Sequence, residues 1–171
     1  MKSLLIECSR SPYYWLFMLI LGLFFEAVAL YYQYILDEWP CVLCIHIRIW
    51  IAGMILLAAI ALVTRPGPRL SQSYHLLMTL LNIGLLERSW QLLAVERGWI
   101  IGSCSMESGL PDWFALDQWW PVLFEIKTTC GYTPYVLLKI SMAEILLVTS
   151  VGLTSLSLLL LLSRYLSGSR T

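Results

Sequence analysis

Charge is the scarcest property of this sequence. Only 13% of its 171 residues are Asp, Glu, Lys or Arg, against roughly a quarter in an ordinary soluble domain, so water is not expected to be its only solvent. The eleven basic and eleven acidic residues cancel, which removes the positive footprint a nucleic-acid binder needs and excludes nucleic acid as a partner. Internal repeats and low-complexity tracts are absent. Histidine is rare too: His46 and His75 are the only two, and both read as packing or interface residues.

Apolar residues take the place of charge, at 59% of the chain and a mean hydropathy of +0.76. A membrane span needs about 20 mostly apolar residues, and a helix is the form expected because an unpaired backbone amide in hydrocarbon costs several kcal/mol. With charges as boundaries, four runs qualify. They predict an all-α membrane protein, a bundle of four transmembrane helices in one domain over residues 1–171, with spans near 14–34, 43–64, 71–93 and 144–163. Glu26, Arg48 and the pair Glu87 and Arg88 are the charges inside them. The first run exceeds a signal-peptide core and no small-x-small cleavage pattern follows it, so it is expected to stay attached.

Orientation follows from Lys and Arg in the short segments. Lys2, Arg10, Arg65, Arg69, Arg164 and Arg170 fall on one side, which predicts cytoplasmic termini. The loops near 35–42 and 94–143 hold most of the acids, with Arg97, Lys127 and Lys139 against them, and are expected outside. Pro66-Gly67-Pro68 reads as a tight turn. The third loop is too long for a plain connection. Within it, the apolar stretch from Trp113 to Phe124 reads as a short helix lying flat at the membrane surface, with an interfacial aromatic belt as the simpler reading.

This topology sorts the five cysteines. Cys41, Cys44, Cys104 and Cys130 fall outside and Cys8 inside. Four thiols in an oxidising compartment predict two disulfides, and the cytoplasmic thiol stays reduced. Cys41 and Cys44 form a C-x-x-C at a helix start opened by Pro40. Such a ring constrains an unfolded chain little, so the spacing reads as redox-active, pairing Cys41 with Cys44 and Cys104 with Cys130. Helix-start amides favour a thiolate there, and Arg48 lies one turn beyond Cys44 on the same face, where its fixed charge would stabilise a thiolate or a reduced ligand oxygen. A snorkelling arginine is the plainer reading of Arg48. A zinc site built from the four cysteines, or with His46, is opposed by the 25 residues between Cys104 and Cys130, since structural zinc sites supply close-spaced ligand pairs. No metal is expected.

Pro40-Cys41-Val42-Leu43-Cys44-Ile45 with Arg48, the segment Leu116-Asp117-Gln118-Trp119-Trp120-Pro121-Val122-Leu123-Phe124, and Cys130 together resemble the DsbB family of bacterial inner-membrane disulfide-forming enzymes. Cys8, Trp15, Glu26 and Gln33 fall where close relatives have the same residues. Ile47 departs from the pattern, replacing an acidic residue, as does the Glu96-Arg97 region, where some members place a histidine. The resemblance implies a quinone-dependent protein-disulfide oxidoreductase that serves a periplasmic DsbA-like thioredoxin-fold oxidase and passes electrons to ubiquinone or menaquinone. It implies that the partner attacks Cys104, that Cys130 reaches Cys41, that Cys44 faces the quinone and that Arg48 supports it. A mobile third loop would bring Cys130 to Cys41. Glu26 is expected to pair with a neighbouring helix. The competing readings are a DsbI-type paralogue dedicated to one partner and a non-enzymatic tetraspan scaffold held by inert disulfides.

Overall fold

The computed structural model describes residues 11–100, 109–111, 115–131, 133–137 and 140–168. Four long helices dominate: α1 (Pro12–Tyr34), α2 (Val42–Thr64), α3 (Pro68–Glu96) and, after the third loop, α6 (Met142–Gly168). Between them lie two one-turn helices, α4 (Leu116–Trp119) and α5 (Pro121–Phe124), and a small antiparallel pair, β1 (Tyr135–Leu137) and β2 (Ile140–Ser141). The helix starts are written locally. Ser11 caps α1 by accepting from the Tyr13 amide at 3.2 Å, with Pro12 in the first turn. Pro68 opens α3 after Arg65 closes α2 in a left-handed conformation at φ 43°, so the Pro66-Gly67-Pro68 segment is the expected turn. Ser141 and Glu144 form a reciprocal capping box at the start of α6, with Glu144 accepting from the Ser141 amide at 3.0 Å.

The long helices pack in sequence order, α1 against α2, α2 against α3 and α3 against α6. Three of them, Pro12–Tyr34, Val42–Thr64 and the Met142–Ser163 part of α6, are long and apolar enough to cross a membrane. The third helix is longer but more polar, and the structure shows where its polarity goes. Ser71, His75, Thr79, Asn82 and Ser89 are all buried, spaced to lie on one face. Leu76, Leu77, Leu80 and Ile83 are exposed instead. That face meets its neighbours through hydrogen bonds: Asn82 Nδ2 donates to Ser157 Oγ at 2.5 Å, Thr154 Oγ1 donates to the Asn82 carbonyl at 3.1 Å, and Tyr14 Oη lies 3.3 Å from Ser157 Oγ. His75 is fully buried beside the rings of Tyr14 and Trp15 at 5.1 and 4.9 Å, the packing role expected of it.

Glycine sets the closest approach of α2 to α3. A Cβ placed at Gly84 would come within 2.7 Å of the Trp50 indole, whereas one at Gly152 on α6 would meet nothing within 4 Å. Gly84→Ala is therefore expected to cost about 1–3 kcal/mol by overpacking, read as a lower melting temperature of the purified protein. Gly152→Ala should be neutral or mildly stabilising, because alanine is the better helix former.

The surface segment expected over Trp113–Phe124 is broken in two. Trp120 leaves helical geometry (φ -134°, ψ 67°) and Pro121 restarts the chain as α5, since a proline ring disfavours helical geometry in the residue before it. Trp119, Trp120 and Val122 are exposed, while Trp113 and Phe114 lie outside the described residues.

Candidate functional site: a buried dithiol beside a paired arginine

Cys41 is the N-cap of α2. Its Sγ accepts from the Cys44 amide at 3.3 Å, in the position a serine or aspartate oxygen commonly occupies. One helical turn brings the two sulfurs to 2.7 Å. The sequence predicts a Cys41–Cys44 disulfide, but here both are free thiols. Residues three apart across a helix start bring their sulfurs together, the arrangement a reversible C-x-x-C pair requires. A helix-start amide acts directly on the Cys41 sulfur. The Cys44 side chain, with the Cys44 and Leu43 amides, holds the Cys41 thiol below its ordinary pKa against the opposing effect of burial. Cys41 is thus the sulfur of the pair that caps the helix.

Arg48 is 5% exposed and does not snorkel. Its Nε lies 3.2 Å from Glu26 Oε2, and its Nη1 donates to Gln33 Oε1 at 2.7 Å. Glu26 therefore pairs with the neighbouring helix as expected. Gln33 goes beyond the sequence reading, which noted it without a role. It stands two helical turns from Glu26 on α1, so both reach the same guanidinium, and that i, i+7 spacing was the available signal. Gln33 Nε2 in turn donates to the Val122 carbonyl at 3.3 Å, as does Tyr34 Oη, and the Arg48 guanidinium stands 5.9 Å from the Phe124 ring centre. The arginine is thus tied through α1 to the short helix α5.

A cavity of about 280 Å³ opens beside these groups, with Cys41, Cys44, Arg48 and Gln33 among its polar lining and Phe25 and Leu146 among its apolar walls. Glu26 and Gln33 occupy only some of the five donors a guanidinium carries. An apolar slot with one buried cationic donor and a dithiol suits a flat, carbonyl-bearing ring. Ile47, where the motif departs, is buried and also lines the cavity.

The third loop reaches the same place. Thr128 forms an isolated parallel bridge with Cys41, and Cys130, two residues on, packs, as do Val42 and Cys44, against the core cluster that includes Cys41. Cys130 is disulfide-bonded; Cys104, its expected partner, and Cys8 lie outside the described residues. The end of α3 is fastened to the returning chain by Glu96, which accepts from Thr133 Oγ1, and by an Arg97–Glu144 ion pair. The Glu96-Arg97 region, the other departure from the motif, has a structural task here.

Fold and site together define a helical membrane protein with a vicinal dithiol at the mouth of a span. Residues 10–160 match the family described as Disulfide bond formation protein DsbB. Among similar proteins, the Disulfide bond formation protein B 2 of Pseudomonas aeruginosa is 34% identical over 172 residues, covering 99% of each chain. The Disulfide bond formation protein B of Photorhabdus laumondii is 29% identical over 168 residues, covering 98% of this chain and 99% of its own. The chain belongs to the DsbB family, and with it to the disulfide-bond-forming thiol oxidoreductases of membranes.

Proposed function

We propose that this protein reoxidises a periplasmic thioredoxin-fold thiol oxidase of the DsbA type and passes the electrons to ubiquinone or menaquinone in the bacterial inner membrane. The observation that carries this reading is a single cavity on which the Cys41–Cys44 dithiol and the buried Arg48 converge, with the Cys130 segment bridged to Cys41 at its edge. In this reading the chain crosses the membrane four times, with both termini cytoplasmic and the loops of Cys41 and Cys130 in the periplasm. The inside-out polarity of α3, serines and asparagine buried and leucines exposed, supports its counting as a span despite its composition. The exposed Trp119 and Trp120 suit a loop helix at the outer membrane surface.

The partner's thiolate attacks Cys104 of the Cys104–Cys130 disulfide, and Cys130 leaves as thiolate. Cys130 then attacks Cys41, forming Cys41–Cys130 as the Cys41–Cys44 bond breaks and Cys44 takes the electron pair. The partner's second thiolate closes its own disulfide and releases Cys104, whose thiolate attacks Cys130, re-forming Cys104–Cys130 and freeing Cys41 as thiolate beside Cys44. Arg48 and the apolar wall around Phe25 would hold the quinone, which when bound accepts two electrons and two protons and so restores the Cys41–Cys44 disulfide. Arg48 supplies the positive charge, and Glu26 and Gln33 keep it aimed.

The test mixes purified protein, a reduced thioredoxin-fold oxidase and a soluble short-chain quinone, and follows quinone absorbance. Quinone is expected to be consumed one for one with the thiol pairs oxidised. No thiol-dependent consumption would favour the scaffold reading.

A further inference from the structure

We propose that Lys127 and Thr128 form a latch that holds the third loop on the Trp39–Cys41 segment, making them positioning residues for exchange between the two cysteine pairs. The inference rests on the relay above and adds what places Cys130 in it. Four contacts fasten two short extended segments side by side. Thr128 Oγ1 donates to the Trp39 carbonyl at 2.9 Å. The Lys127 amide donates to the Pro40 carbonyl at 3.4 Å. Thr128 bridges Cys41 in parallel register. Lys127 Nζ sits 3.9 Å from the centre of the Trp39 ring, steadied by Glu125 at 3.0 Å. Pro40 cannot donate a hydrogen bond, so its side of this pairing offers only its carbonyl, and that carbonyl is taken.

The chain then turns away at once. Gly131 follows Cys130 at φ 129°, a backbone conformation closed to ordinary side chains, so the latched strand ends at the reactive residue. A loop held this way needs no long search, because the ends of the exchanging chain are already close and the entropy of closing the loop has been met by contacts outside the cysteines. The chemistry is unchanged. Cys130, released as thiolate by the partner's attack on Cys104, forms a bond to Cys41 Sγ as the Cys41–Cys44 bond breaks and the electron pair leaves on Cys44. The latch changes only how often those sulfurs meet.

The experiment uses the full chain with Cys8, Cys44 and Cys104 replaced by serine, leaving Cys41 and Cys130. This protein is equilibrated in glutathione redox buffers, and the Cys41–Cys130 disulfide is read by thiol alkylation and gel shift. Lys127→Gln and Thr128→Val are each expected to lower the effective concentration of the two thiols for one another by roughly three- to tenfold, the size of a lost surface hydrogen bond or cation–π contact. A companion chain with Cys8, Cys104 and Cys130 replaced by serine reports the Cys41–Cys44 equilibrium, which Lys127→Gln should leave unchanged. An undiminished Cys41–Cys130 equilibrium in both variants would overturn the latch and leave the relay standing. An equal fall in both backgrounds would also overturn it, marking general loosening. Failure of Cys41 and Cys130 to pair with Lys127 and Thr128 intact would remove the relay itself.

Discussion

Arg48→Met is expected to weaken quinone-dependent turnover by roughly tenfold to a hundredfold, the rate equivalent of losing a charge-assisted hydrogen bond worth about 1.5–3 kcal/mol. The effect should appear in the dependence on quinone concentration. Stoichiometric oxidation of the partner by the Cys104–Cys130 disulfide, measured without quinone, should survive because Arg48 lies in the bundle and not in the loop. Removing Arg48 also strands Glu26, whose Oε2 it pairs and whose Oε1 is buried with no hydrogen-bond partner among the described residues. Breaking a buried ion pair in this way costs several kcal/mol of stability, about 3–5 in well-studied cases. The double variant Glu26→Gln/Arg48→Met separates the two effects: melting temperature should recover while the quinone defect stays. Recovery of both would mean that Arg48 serves only to neutralise Glu26. Arg48→Lys should rescue in part, since an ammonium restores charge but not the fork that reaches Glu26 and Gln33 together.

The cysteine series should give the other large effect, close to all or none. Cys104→Ser removes the sulfur the partner attacks, so partner oxidation stops while the Cys41–Cys44 pair stays competent. Cys130→Ser leaves Cys104 without a disulfide, so oxidation of reduced partner should stop; given oxidised partner instead, the free Cys104 thiolate attacks the partner's disulfide and a mixed disulfide should form, visible as a reductant-sensitive band on a non-reducing gel. Cys8→Ser should be silent, because the proposed topology puts this thiol in the cytoplasm, where it has no place in the relay. Sustained turnover by either of the first two variants would mean that the partner reaches Cys41–Cys44 directly.

Local chemistry made much of this architecture readable before any coordinates. Proline opens α1 and α3, and Pro40 precedes the cap of α2, so helix starts and the convergence of Cys41 with Cys44 followed from neighbours in sequence. A carboxylate at position 26 inside an apolar run called for a partner on a neighbouring helix, but nothing in the sequence named Arg48 as that partner. What sequence could not supply is long-range pairing. Thr128 and Trp39 meet across 89 residues, and nothing in either segment's periodicity announces the other. The β1–β2 pair, three and two residues long, is likewise too short to leave an alternating pattern. The choice of Cys41 as the amide-held sulfur depends on a one-residue difference at the helix boundary, finer than composition resolves.

The hydrogen bonds around Ser157 bear on the order in which the protein is made. Tyr14 and Ser157 are 143 residues apart, and Asn82 and Ser157 are 75 apart, so the last long helix supplies the group that the first and third share. Until α6 leaves the ribosome, Asn82 has no Ser157 to bond, and α3 must wait with its serines and asparagine uncovered. A leucine-rich helix could rest alone in lipid; in the proposed four-span arrangement α3 is expected to have its polar face covered only when its C-terminal neighbour packs against it, a late and cooperative step.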